Sequence, residues 1–181
     1  MDILAHALWA TAGVVAAHRR WSIAPRTAVA TVALAVTPDL GHMLPMLGWS
    51  IAGDGSFANL WRYAIALPGQ EPAVPPVVAM MSHHFHCILH SAIVAGLVTL
   101  LLFFALRRLW IPILGWWSHI VIDIFSHSSD FYPTPVFYPI TQRGFDGIAW
   151  NTPWFMALNY TALAVVGLWL WNKRLRHRDK H

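Results

Sequence analysis

Seven ionisable side chains sit in stretches that otherwise read as lipid-facing: His6, Asp39, His42, His86, His90, His119 and Asp123. Such a group inside a bilayer costs several kcal/mol unless it is paired or wetted, so a membrane chain that keeps several usually uses them. Imidazole and carboxylate are ligands that zinc accepts, and a catalytic zinc keeps one position open for water. His119-x-x-x-Asp123 and His86-x-x-x-His90 are each spaced i, i+4, which puts both side chains on one helical face, as two ligands to a single ion require. Asp39-Leu-Gly-His42 follows Pro38, which predicts a kink there, with freed backbone groups and space for the cluster. Any one of these residues could simply make an interhelical hydrogen bond. Their contribution from four separate apolar segments points instead to one site, holding one or two divalent ions with zinc the first expectation.

These residues must be positioned by membrane helices. The chain is 57% hydrophobic and 11% charged, about half the charged fraction of a soluble domain. At 181 residues it has room for one helical bundle and no second domain. The expected fold is all-α, a polytopic bundle of about five transmembrane helices over residues 3–18, 27–47, 84–106, 109–127 and 154–171. Basic residues follow the first apolar run, so it reads as a retained helix rather than a signal peptide. Ten of the twelve Lys and Arg fall on one side of such a bundle: Arg19, Arg20, Arg26, Arg107, Arg108 and the tail from Lys173 to Lys180. The positive-inside rule then puts the N-terminus outside and the C-terminus in the cytoplasm. The basic balance is thereby a topology signal, and no nucleic-acid partner is expected. The single transmembrane domain is 1–172, with outer loops at about 48–83 and 128–153, and 173–181 is a basic cytoplasmic tail. Cys87 is the one cysteine, which excludes an intrachain disulfide and a multi-Cys zinc site.

Helical rise converts position into depth. Measured from the flanking basic residues, His6, Asp39, His42, His90, His119 and Asp123 all fall roughly 17–25 Å up, in the outer half of the bilayer, with His86 roughly 6 Å higher. The outer loops add further candidates. Asn59–Leu67 reads as a short interfacial helix with Trp61 and Tyr63 at headgroup level, ended by Pro68 and the prolines after it. Ser126, His127 and Asp130 close the fourth span, where His127 could take part in proton transfer. Arg143, in the turn-rich stretch 141–147, and Arg62 could each present a guanidinium to an anionic group. His83 and His84 lie at the boundary, and the fifth span offers no such residue.

Taken in order, these motifs resemble the membrane-bound, metal-dependent hydrolase family described as LexA-binding and inner-membrane-associated. The likeness runs through Asp2-x-x-x-His6, Pro38-Asp39-x-x-His42, His90-Ser91, Ser118-His119-x-x-x-Asp123 and the segment Phe137-Tyr138-Pro139-Ile140. It implies an inner-membrane hydrolase. Two departures stand out. Position 41 is Gly where the family usually has a second Asp, and His84-Phe85-His86 stands where a basic residue often follows a His. His83, His84 or His86 could supply a compensating nitrogen ligand.

The resulting expectation is a multi-pass inner-membrane hydrolase with a metal-activated water, acting on a lipid or lipid-linked substrate at the outer face. His6, Asp39, His42, His86, His90, His119 and Asp123 form the ligand pool, and Asp39 serves as general base if it does not coordinate. Membrane lipids are the expected partners. Non-enzymatic alternatives stay open: a metal or proton transporter, a haem protein, or a scaffold that a metal merely staples.

Overall fold

Prolines and small polar caps set where the helices begin. The computed structural model describes residues 1–67, 70–130 and 132–178, with the side chains of 175–178 left aside. Among these residues there are eight helices and no strand: α1 (Ile3–His18), α2 (Pro25–His42), α3 (Leu44–Ala52), α4 (Phe57–Ala64), α5 (Pro76–Leu89), α6 (Ala92–Leu106), α7 (Ile113–Ser126) and α8 (Pro153–Arg178). Pro25, Pro45, Pro76 and Pro153 stand in first turns, where a missing N–H costs nothing. Asp2 caps α1 by accepting from the Ala5 amide, and Ser91 caps α6 by accepting from Val94, each satisfying a donor the helix leaves free.

Residues 153–174 of α8 are long and apolar enough to cross a membrane alone, and α1 and α7 are shorter apolar helices. Two further candidates are bent pairs: α2–α3 turns by 56° and α5–α6 by 58°. Both bends fall beside predicted site residues, after His42 and at His90. The expected kink at Pro38 is therefore corrected. Pro38 is buried inside a continuous α2, and the chain turns at Met43, just ahead of Pro45. The stretch expected as an outer loop at 48–83 is also largely helical, holding the end of α3, all of α4 and the start of α5. The interfacial helix begins two residues earlier than expected, at Phe57. Pro68 and residues 179–181 of the basic tail lie outside the described residues.

Packing buries polar groups beside a small apolar core and leaves many large apolar side chains facing outward. His6, His90, His119 and Asp123 are buried, while Leu97, Leu101, Phe104, Leu158 and Leu168 are exposed. The tightest approach is between α2 and α7. A Cβ added at Gly115 would lie 1.9 Å from the Thr31 carbonyl oxygen, so only glycine admits this crossing. Thr31, Ala35 and Asp39 form the buried stripe of α2, and Gly115, His119, Asp123 and Ser126 that of α7. The backbone contact thus brings the two acid-bearing stripes face to face. The loop after α7 folds back over its end, with Gly147, Ile148 and Trp150 amides donating to the carbonyls of His127, Phe125 and Ser126.

Candidate metal centre

Helix ends and breaks aim the imidazoles. His90 is the C-cap of α5, and its Nδ1 donates to the His86 carbonyl at 2.9 Å. His119 Nδ1 donates to the Ala35 carbonyl across the α2–α7 contact at 2.7 Å. Each backbone acceptor fixes the tautomer, leaving Nε2 with its lone pair pointing inward, the arrangement that orients metal-binding histidines. These two Nε2 atoms are 3.0 Å apart. Two lone pairs at that distance repel unless a cation or proton lies between them.

Carboxylates complete the group. Asp123 Oδ2 lies 3.0 Å from His119 Nε2 and 3.3 Å from His90 Nε2. Asp39 Oδ1 is 3.7 Å from each of the same two nitrogens. Two ligands of a tetrahedral zinc with bonds of about 2.0–2.1 Å stand about 3.3 Å apart. Five of the six edges of the four-residue group therefore run from 3.0 to 3.7 Å, bracketing that separation. Asp39, His90, His119 and Asp123 are all buried, and together they could hold a metal ion. The residues fit the ion in donor chemistry as well as spacing: Oδ2 of both carboxylates lacks a hydrogen-bond partner, although such atoms are rarely left orphaned in a core.

The remaining candidates surround this group at different ranks. His6 stacks on the His119 ring with centroids 3.8 Å apart. Its Nε2 donates to Asp123 Oδ1 at 2.9 Å and stands 3.9 Å from Asp39 Oδ2. It holds the carboxylate rather than a corner of the four-residue group. His86 and His42 are also displaced from it. The His86 ring lies 4.1 Å from that of His90, its Nε2 faces the Pro133 carbonyl at 3.4 Å, and the His42 ring lies 5.6 Å from that of His86. His127 Nε2 is 3.5 Å from Asp123 Oδ1. The i, i+4 argument thus holds for His119 and Asp123, whereas in the other pair only His90 reaches the centre.

Arg62 and Arg143 are exposed, on α4 and on the loop after α7, and neither is a member of the buried group. His83 and His84 are exposed too, His83 contacting Gln142 and Cys87, so neither replaces the carboxylate missing at position 41. A Cβ at Gly41 would meet Leu89 Cδ1 at 2.3 Å, which places this glycine against α5. Three contributors were not legible in sequence. The Met1 amino group lies 2.5 Å from Asp123 Oδ1 and 2.9 Å from His127 Nε2. The Ala35 and His86 carbonyls act as orienting acceptors through backbone geometry alone. Tyr63, expected as a headgroup anchor, instead lies with Tyr132 beside His42, with ring centroids 6.2–6.4 Å apart.

The model of the YdjM inner membrane protein family matches residues 1–178. The chain belongs to that family. Membership establishes an inner-membrane location, as the motifs led one to expect, and its description assigns no hydrolase activity. No curated protein and no solved structure is significantly similar to the chain. Within this YdjM-family chain the buried acid–imidazole group draws on α2, α5 and α7, with α1 braced against it through His6 and α8 contributing none of its members.

Proposed function

We propose that this YdjM-family protein is a membrane-embedded metal-dependent hydrolase, with zinc as the metal and a lipid or lipid-linked molecule as substrate, acting at the outer face of the inner membrane. One observation carries the reading: two tautomer-fixed Nε2 atoms and two carboxylates face a common centre with edges of 3.0–3.7 Å. A divalent cation bound there would supply a Lewis acid and bring the pKa of a water towards neutrality. His90, His119 and Asp123, the closer three, would hold the ion. Asp39, at the longer edges, orients the water and takes its proton at Oδ2, an atom with no hydrogen-bond partner. His6 fixes Asp123 through Oδ1, and His127 carries the proton towards the loop. Arg143 and Arg62 receive the anionic part of the substrate.

The same reading takes α1, α2–α3, α5–α6, α7 and α8 as five crossings with the N-terminus outside. The clustering of ten of the twelve Lys and Arg at one end supports it. Reporter fusions after residues 22, 108 and 174 should all report a cytoplasmic position.

Elemental analysis of purified protein should find close to one zinc per chain. Asp39→Asn should keep the metal and slow product release from an inner-membrane lipid extract by about 10²–10⁴-fold. Metal-free wild type, with His119→Ala making no difference to activity, would overturn the reading. The presence of four protein donors also supports a second reading, a closed site in which the metal only staples the bundle. In that case Asp39→Asn releases the metal.

A further inference from the structure

The halves of α1 and α8 furthest from the metal centre, with the start of α2, line an apolar groove with basic residues at one end. The two helices are joined within their N-terminal halves. There Trp9 Nε1 donates to Asn159 Oδ1 at 2.9 Å and the Tyr160 hydroxyl donates to Asp2 Oδ1 at 2.8 Å. Beside that joint lies a cavity of about 1300 Å³, lined among others by Leu8 and Val15 and, at its floor, by the buried Leu163 and Leu170. This exceeds the about 300–1,000 Å³ of an ordinary small-molecule pocket. Gly167 belongs to its wall, and a Cβ built there meets nothing within 4 Å.

Charge marks one end of this groove. Arg19 and Arg174 line it and are both exposed. The acidic residues of the chain lie towards the other end, in the metal centre, at the start of α1 or in the loops, apart from Asp179 in the undescribed tail. Two guanidiniums with no carboxylate partner among the described residues call for an anion, and planar guanidinium suits phosphate. An apolar trough beneath them, opening within a membrane, calls for an acyl chain. A second copy of the chain would bring its own basic end to this mouth and set like charges together.

We propose that the α1–α8 groove binds one anionic phospholipid, with an acyl chain along Leu8, Val15, Leu163 and Leu170 and its phosphate between Arg19 and Arg174. The site is separate from the metal centre and independent of the hydrolase reading. The test uses the full chain, delipidated in neutral detergent and titrated with phosphatidylglycerol or phosphatidylcholine of identical chains, with native mass spectrometry as readout. One phosphatidylglycerol should be retained with a preference of about tenfold or more over phosphatidylcholine. Arg19→Gln with Arg174→Gln should erase that preference. Gly167→Phe, which fills the groove, should cut retention of both lipids about tenfold while helix content and melting temperature stay unchanged. If that variant folds poorly, Ala164→Phe on the same wall serves in its place. Equal retention of the two lipids, or wild-type retention by the groove-filling variant, would overturn the proposal. So would a dimer that the filling variant dissolves, since the occupant would then be a second copy.

Discussion

At the α2–α7 crossing the backbones approach until only a hydrogen fits between them, and the far halves of α1 and α8 line a groove. Each place has a helical glycine, and the two behave oppositely. A Cβ at Gly115 would lie 1.9 Å from a backbone oxygen, whereas one at Gly167 meets nothing within 4 Å. The difference follows from what each region must hold. Polar groups buried in a membrane protein need fixed partners, and fixed partners need rigid backbones at short range. A groove filled by flexible chains needs space and a charged rim.

Breaking the tight region should have the largest effect. Gly115→Ala drives a methyl group into the Thr31 carbonyl, so its cost should reach or exceed the upper end of the about 1–3 kcal/mol typical of overpacking. Gly167→Ala should leave the melting temperature at or above that of wild type, because helical glycine is itself mildly unfavourable. A matched pair of thermal melts decides the contrast. Equal losses would mean that α2 and α7 do not cross at this distance.

His119→Ala should come next in size. It removes the partner of two carboxylates and frees the Ala35 carbonyl. Loss of bound zinc by elemental analysis is expected, with destabilisation near the about 3–5 kcal/mol of a broken buried pair. Asn159→Ala should cost about 0.6 kcal/mol, the average for an interhelical hydrogen bond in a membrane, by removing the acceptor of Trp9. Its signature is a loosened α1–α8 joint, read as faster exchange of the Trp9 indole proton.

Asp146 should give the smallest change. The Ser129 amide donates to its carboxylate at 2.8 Å and holds its pKa below the usual carboxylate range. A depressed folded-state pKa contributes stability that is present above the ordinary carboxylate value and lost as pH falls through the folded one. Protection of the Ser129 amide should therefore decline only in acid, and Asp146→Asn should remove that pH dependence. Unchanged protection in the variant would show that the loop is held by its contacts to the end of α7 instead.

Residue chemistry in the sequence already marked the membrane class, the all-helical fold and the acid–imidazole group, whereas two of the five expected spans proved to be pairs of helices bent by 56° and 58°. Its signal was energetic: His and Asp inside apolar runs are too costly to be incidental. The same energetic signal could not rank the candidates. Placing His90, His119, Asp39 and Asp123 at the centre, with His6, His42 and His86 around it, depended on three backbone features. These are the Gly115 crossing, the bend at His90 and the carbonyls of Ala35 and His86. Pro38 shows the limit of local inference, since neighbouring helices tolerate a proline inside α2 and the turn falls at Met43. The α1–α8 groove left no trace in sequence, because the space left between apolar helices is set by where they are pinned and not by how apolar they are. Composition and spacing determined which side chains demand partners in a membrane; only the tertiary structure decided which partners they obtain, since that depends on the angle and distance at which helices cross.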